Sequence, residues 1–95
     1  MNDPEIKELD IRLVAEIVAD RNSGWACVVV DGSASILGTG NPVKISGMID
    51  NHRFEATMLP VGGGAHMIPV KAAVRKAISK GIGDTVAVEI DTRRP

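Results

Sequence analysis

The amino-acid sequence predicts a small, mostly β domain: a closed or partly closed barrel of about six strands, with one short helix capping an end. The chain has 95 residues, the length of a single domain, and apolar residues alternate with polar ones over most of it. Ten glycines and five prolines provide frequent turns, which suit short strands better than long helices. We therefore expect one domain over residues 1–95, with flexible tails at 1–8 and 92–95.

The first half of the chain begins with two predicted strands. Apolar side chains at every second position predict a strand within residues 10–19. A turn follows at 22–24, and the apolar, mostly β-branched run from Trp25 to Val30 predicts a central strand. Residues 33–37 leave room for no more than a helical turn.

A hairpin is the clearest local signal. Alternating stretches at 43–49 and 53–58 flank Asp50 and Asn51, residue types that tolerate a positive φ in a tight turn. Pro60 and the three glycines after Val61 are then expected to break the chain.

The second half predicts the helix and the last strand. A short strand at 65–68 leads to Pro69, which suits the first turn of a helix because proline has no N–H to leave unpaired. Glycines at 81 and 83 end the helix, and alternation over 86–90 predicts the final strand. The apolar face of the helix consists of Val70, Ala73, Val74, Ala77 and Ile78.

Several functional classes are disfavoured by composition. No apolar run reaches the length of a membrane-spanning helix, and the acidic N-terminus lacks the features of a secretory signal, so we expect a cytoplasmic protein without membrane contact. The single cysteine, Cys27, lies in an apolar run and is expected to be buried and inert. No catalytic motif or metal-ligand spacing is present, so we expect no enzyme activity, cofactor or metal.

Nucleic acid is not the favoured partner on these counts. The net charge is −1, and the only aromatic residues, Trp25 and Phe54, both fall inside strand patterns. No aromatic side chain is then left to stack on a base. A protein or small-molecule partner is favoured, with the chain as a monomer or weak homodimer.

One candidate ligand site combines a glycine run with nearby polar residues. Backbone N–H groups of consecutive glycines can cradle an anion, although a sharp loop at a barrel corner also explains them. The histidine beside this run could face a ligand, but a structural histidine bonded to loop backbone is the favoured interpretation. The candidate anion-binding residues are Gly62, Gly63, Gly64, His66, Lys71 and Arg75.

A basic arc on the helix is a second candidate. It could bind phosphate, whereas the simpler interpretation is the solvated side of an amphipathic helix. Arg75 could instead pair with Asp84 just beyond the helix. The basic arc consists of Lys71, Arg75, Lys76 and Lys80.

The segment from His66 to Ile90 resembles the half-barrel unit of the AbrB/MazE-like swapped-hairpin proteins. The matching features are an Ile-Pro pair, an arginine in the helix, and a Gly-Asp pair opening a β-branched strand, here Ile68, Pro69, Arg75, Gly83, Asp84 and Val86. In that family two chains form one barrel that binds DNA. This chain is long enough to supply both halves itself.

Residues 9–91 as a whole resemble a bacterial and archaeal domain-of-unknown-function family with a double-split β-barrel fold. The resemblance rests on four motifs in order, Gly24-Trp25, Met58 to His66, Arg75 to Ile78 and Gly83 to Val86. It implies the fold and no particular activity. We expect a non-enzymatic binding or accessory module that engages the glycine run and the start of the helix; the alternative is an AbrB/MazE-like DNA-binding regulator.

Overall fold

The computed structural model describes residues 7–95. Strands dominate, and two short helices interrupt them. The elements in chain order are β1 (Lys7–Glu16), β2 (Val18–Ala19), β3 (Ala26–Val30), α1 (Ser33–Leu37), β4 (Val43–Ile49), β5 (His52–Gly62), β6 (Ala65–Pro69), α2 (Ala72–Ile78) and β7 (Thr85–Arg93).

All neighbouring strands are antiparallel, in the order β1-β7-β4-β5-β6-β3-β2. Only Ile17 separates β1 from β2, so the two ends of the sheet are consecutive in the chain and the sheet curls into a half-barrel. Ile17 is fully buried, and its backbone N–H and C=O bond to Asp84 and Gly83 in the turn before β7. The predicted mostly-β, barrel-like fold is confirmed.

The core is aliphatic, as the composition requires. Phe54 is buried, and Cys27 is a free, buried thiol whose pKa is raised by desolvation. The inward side chains of the sheet that are almost wholly buried are Val28, Ile45, Ile49, Met58, Ile68, Val86, Val88 and Ile90. Burial of this kind contributes roughly 25 cal/mol per Å² of apolar surface, which makes it the main favourable term in folding.

The predicted hairpin is confirmed as β4–β5. Its turn residues, Asp50 and Asn51, have φ values of 47° and 65°, the positive pair that a type I′ turn requires. The Asp50 carboxylate accepts a hydrogen bond from the Ala87 N–H and pairs with Lys80. That contact with Lys80 lowers the pKa of Asp50.

Two boundaries differ from the sequence-based expectation. The chain does not break at Pro60: β5 continues to Gly62, and Pro60 is a register partner of His66. The helix begins at Ala72 and not at Pro69, because Pro69 still pairs with Cys27 at the end of β6. Proline is tolerated there because a strand end does not require its missing N–H.

The strand count and the chain ends are made more precise by the structure. Residues 7–95 form seven strands, against about six expected, since the predicted stretch 10–19 divides at Ile17 into β1 and the two-residue β2. Residues 7–8 and 92–93, expected to be tails, pair with one another across β1 and β7. The remainder of the expected N-terminal tail, residues 1–6, lies outside the described residues.

The helix face predicted to be apolar is buried only in part. Val70, just before α2, is buried, and Val74 and Ile78 are half-buried. Ala73 and Ala77 are exposed, and no α2 residue is fully buried. The helix therefore lies against the barrel with one edge and leaves the other side open.

Gly47 in β4 allows two strands to pass unusually close. An added Cβ at this position would lie 1.9 Å from the Glu89 carbonyl oxygen in β7, far inside any permitted contact. The β4–β7 register shifts at Ser46 and Gly47. The sheet therefore bends at a point where a side chain has no room.

We expect Gly47→Ala to lower the free energy of unfolding by about 3 kcal/mol or more, because the methyl group forces β4 away from β7. Denaturant titration measures the change. Gly40→Ala is the matched control, since nothing lies within 4 Å of its added Cβ. Equal stability of the two variants would contradict the close approach.

Candidate functional site

An open cleft of about 970 Å³ lies between the start of β3, the middle of β5 and the start of α2. Its lining is mixed, with more apolar than charged side chains. The lining residues are Gly24, Trp25, Ala26, Glu55, Ala56, Thr57, Leu59, Pro69, Val70, Lys71, Ala72, Arg75, Ile82 and Arg94. We call this depression the indole cleft.

Trp25 is the main departure from the sequence prediction. It was expected inside a strand, but β3 begins one residue later, at Ala26, and the Trp25 residue is 55% exposed. Gly24 before it has a φ of 76°, which turns the chain out of the strand direction. The expectation that no aromatic is free for a ligand is therefore wrong.

The turn before Trp25 is held by one carboxylate. Asp20 Oδ2 accepts hydrogen bonds from the Ser23 backbone N–H and hydroxyl, both at 2.8 Å, and from the Asn22 N–H at 3.2 Å. The Ser23 hydroxyl oxygen accepts in turn a hydrogen bond from the backbone N–H of Trp25. The backbone bond from Ser23 is the largest cause of the lowered pKa of Asp20. A hydrogen-bonded turn thus presents the indole.

The floor and rim of the cleft are apolar. Ala26, Ala56 and Val70 are buried beneath it. Trp25 and Ile82 are exposed by more than half, and both line the cleft. Two large apolar residues exposed at one depression are typical of a binding surface.

The charged lining is predominantly positive. Lys71, Arg75 and Arg94 face a single carboxylate, Glu55, which pairs with Arg94 at 3.1 Å. The Arg75 Nε donates to the Val70 carbonyl, which steadies its side chain beside the cleft. The Arg94 Nε is buried and finds no acceptor among residues 7–95.

The glycine run forms the turn between β5 and β6. Gly62, Gly63 and Gly64 have φ values of 89°, 63° and 79°, which L side chains rarely adopt, so the turn alone explains these glycines. The five-residue strand β6 separates them from Lys71, a distance of roughly 15 Å. Of the candidate residues, the structure brings together Lys71 and Arg75 in the indole cleft and places the glycines elsewhere.

His66 is fully buried and bonded on both ring nitrogens. Its Nδ1 lies 2.7 Å from the Ser33 Oγ and its Nε2 lies 2.9 Å from the Asn41 carbonyl oxygen. A carbonyl can only accept, so Nε2 donates, and in the neutral ring Nδ1 accepts a hydrogen bond from the Ser33 hydroxyl. The pair has the spacing of a nucleophile and its base, but both side chains are fully buried. His66 ties β6 to α1 and to the loop before β4, the structural role favoured from the sequence.

The basic arc does not present four free cations. Lys80 pairs with Asp50 and donates to the Thr85 carbonyl, and Arg75 donates to Val70. The expected Arg75–Asp84 pairing is not formed; Asp84 instead accepts from the Gly81 N–H at 2.8 Å.

Among residues 7–95, no group of three or more histidine, cysteine or acidic residues is placed to hold a metal ion. No described helix is long and apolar enough to cross a membrane.

The fold and the cleft define a small β half-barrel domain with a basic, partly apolar depression on its outer side. The chain belongs to the family described as domain of unknown function DUF1905, whose profile matches residues 14–90. The expected resemblance to a domain-of-unknown-function family is thus confirmed. No curated protein matches the chain by sequence.

We expect Ser33→Ala to lower the free energy of unfolding by about 1–3 kcal/mol, because it leaves the buried His66 Nδ1 without a donor. Thermal or denaturant unfolding measures the loss. Ser35→Ala, at an exposed position of the same helix, should change stability little. A Ser33→Ala variant no less stable than Ser35→Ala would show that the hydrogen bond is not formed.

The lowered pKa of Asp20 predicts an acid-sensitive turn. The Asp20 bonds are fully present above the ordinary carboxyl value of 3.8 and are lost as the pH falls through the lowered folded value. Emission from Trp25, the only tryptophan, should therefore change below pH 3.8, and Asp20→Ala should remove that step. Asp91→Asn, which alters another carboxyl of lowered pKa, should retain it. An unchanged step in Asp20→Ala would contradict the assignment.

Proposed function

We propose that this domain is a non-enzymatic binding module whose indole cleft holds an anionic ligand with a flat, apolar group. The observation that carries the proposal is the exposed Trp25 indole, placed over an apolar floor and beside Lys71 and Arg75. A ring of the ligand packs against the indole, and its negative charge faces the two cations.

The apolar half of the proposal follows from what is exposed. A soluble domain with a small aliphatic core could bury its one tryptophan, yet this chain holds Trp25 outside the strand through an ordered turn. Ile82, on the turn after α2, is exposed at the same cleft. Covering both residues with a ligand removes apolar surface from water, which favours binding.

The anionic half follows from the charges. Among the described lining residues, three cations and one carboxylate leave the cleft positive in a chain whose net charge is −1. Glu55 already pairs with Arg94, so this lining holds no further carboxylate for Lys71 or Arg75. A carboxylate, sulfonate or phosphate on the ligand supplies the compensating charge.

The lining also favours binding over catalysis. Among the described lining side chains, Glu55 is the only carboxylate and pairs with Arg94, and none is a histidine or a cysteine. Of the candidate residues predicted from the sequence, Lys71 and Arg75 therefore remain the proposed ligand contacts, and the glycine turn has a structural role.

A DNA-binding regulator of the AbrB/MazE type is the alternative function. Its support is the sequence resemblance and the basic arc, of which Lys71 and Lys76 remain exposed. Because Lys80 is paired with Asp50 within the fold, we place duplex binding second.

The test uses anilinonaphthalene sulfonate, a fluorescent dye with flat rings and one negative charge, and the neutral phenylnaphthylamine of the same ring system. We expect the sulfonate to bind more tightly than the neutral dye. Trp25→Ala and Lys71→Gln should each weaken sulfonate binding about tenfold, as expected for loss of a stacking partner or a charged contact.

Lys76→Gln is the matched control, since this exposed lysine does not line the cleft. Its affinity for the sulfonate should equal that of the wild-type protein. Equal binding of all three variants, or equal binding of charged and neutral dyes, would overturn the proposal.

A further inference from the structure

A second depression, of about 370 Å³, adjoins the indole cleft. The two share Arg94, whose side chain lines both. The other charged side chains of the second depression belong to Lys7, Lys44 and Arg93. We call these four residues, Lys7, Lys44, Arg93 and Arg94, the basic strip.

The fold forces the cations of the basic strip together. Lys7 and Arg93 are direct register partners across β1 and β7, an arrangement in which like charges repel. The Arg94 N–H donates to the Lys44 carbonyl at 2.8 Å, which brings the ends of β7 and β4 together. Among residues 7–95, the Arg93 guanidinium donates to a neutral acceptor, the Leu37 carbonyl. No acidic side chain of residues 7–95 lines this depression.

The two depressions together concentrate the basic charge of the molecule. They contain six of the eleven lysine and arginine residues of the chain, but of its twelve acidic residues only Glu55 is among the described lining residues. A single anion would engage one end of this surface. A ligand with several negative charges in a row matches its full length.

We propose that the ligand is single-stranded nucleic acid, with one base stacked on Trp25 and the adjoining phosphates on the basic strip. This inference rests on the proposed function of the indole cleft and names its ligand class. Non-specific single-strand binders combine a positive groove that follows the backbone with an aromatic platform that accepts any base. A base paired within a duplex cannot place its face on the indole.

The experiment titrates the full chain with an oligothymidylate of about eight nucleotides, within the range that small single-strand binders occupy. The chain has one tryptophan and no tyrosine, so its intrinsic emission reports on Trp25. We expect quenching at low salt. Logarithmic affinity should fall with logarithmic salt concentration at a slope of roughly −3, the value for four phosphate contacts on a single strand.

Variants separate the two parts of the surface, with anisotropy of a labelled oligonucleotide as the readout. Lys44→Gln and Lys7→Gln should each weaken binding and reduce the salt slope by about 0.7. Trp25→Ala should weaken binding about tenfold and leave the slope unchanged, because it removes stacking and no charge. Lys76→Gln, outside both depressions, should match the unchanged chain.

Two comparison ligands decide the class. A polyglutamate peptide that binds as tightly as the oligonucleotide would show a surface for acidic peptides and overturn the proposal. Oligonucleotide affinity that is the same with and without Trp25→Ala would show a purely ionic surface and would overturn it as well. Tighter binding of a duplex of the same length would overturn it in favour of a duplex-binding regulator.

The dye experiment keeps the two proposals distinguishable. Sulfonate binding that depends on Trp25 and Lys71, without oligonucleotide binding, would reject the nucleic-acid ligand and leave the indole cleft as a site for a smaller anion. If the protein binds neither the sulfonate nor the oligonucleotide, both proposals are rejected. Oligonucleotide binding that depends on Lys44 and Trp25 supports both.

Discussion

The close passage of β4 over β7 at Gly47 is the constraint on which the half-barrel depends. The strands meet there with no space for a Cβ, because the Glu89 carbonyl occupies it, and the register shifts at the same point. Beyond this bend the end of β7 follows the start of β4, where Arg94 donates to the Lys44 carbonyl. Arg94 then reaches over to Glu55 on β5. One glycine thus allows the bend beyond which Arg94 lies at the indole cleft and Arg93 at the second depression.

Local patterns predicted the fold wherever a short stretch determines its own conformation. Asp50 and Asn51 form the expected turn because a two-residue hairpin requires their positive φ values. Boundaries were less predictable where tertiary pairing decides them. Pro69 suits a helix start in isolation, but in the fold it completes the ladder with Cys27, and the helix begins later. Ala73 and Ala77 were predicted on the apolar face of the helix but are exposed. Helical spacing shows which residues share a face, but not how much of that face the barrel covers.

The site was less accessible to sequence reasoning because its parts are distant in the chain. Lys71 and Arg75 were identified as candidate ligand contacts, but Glu55, Ile82 and Arg94 join them only through the sheet order. Trp25 carried a usable signal: it directly follows a turn glycine. An apolar residue at that place can begin the strand or leave it, and alternation alone does not distinguish the two. The ordered turn of Asp20 decides that it leaves the strand.

The positions of the charged residues decide what the near-zero net charge implies for binding. A balanced total argues against polyanion binding only when the charges are evenly distributed. Among the described residues that line the two depressions, Glu55 is the only acidic one, while Lys7 and Arg93 are held opposite each other and Arg94 lines both depressions. Like charges held together by backbone pairing repel, and an anionic ligand relieves that repulsion. The cations therefore favour an anionic ligand at this surface even though the molecule as a whole is slightly acidic.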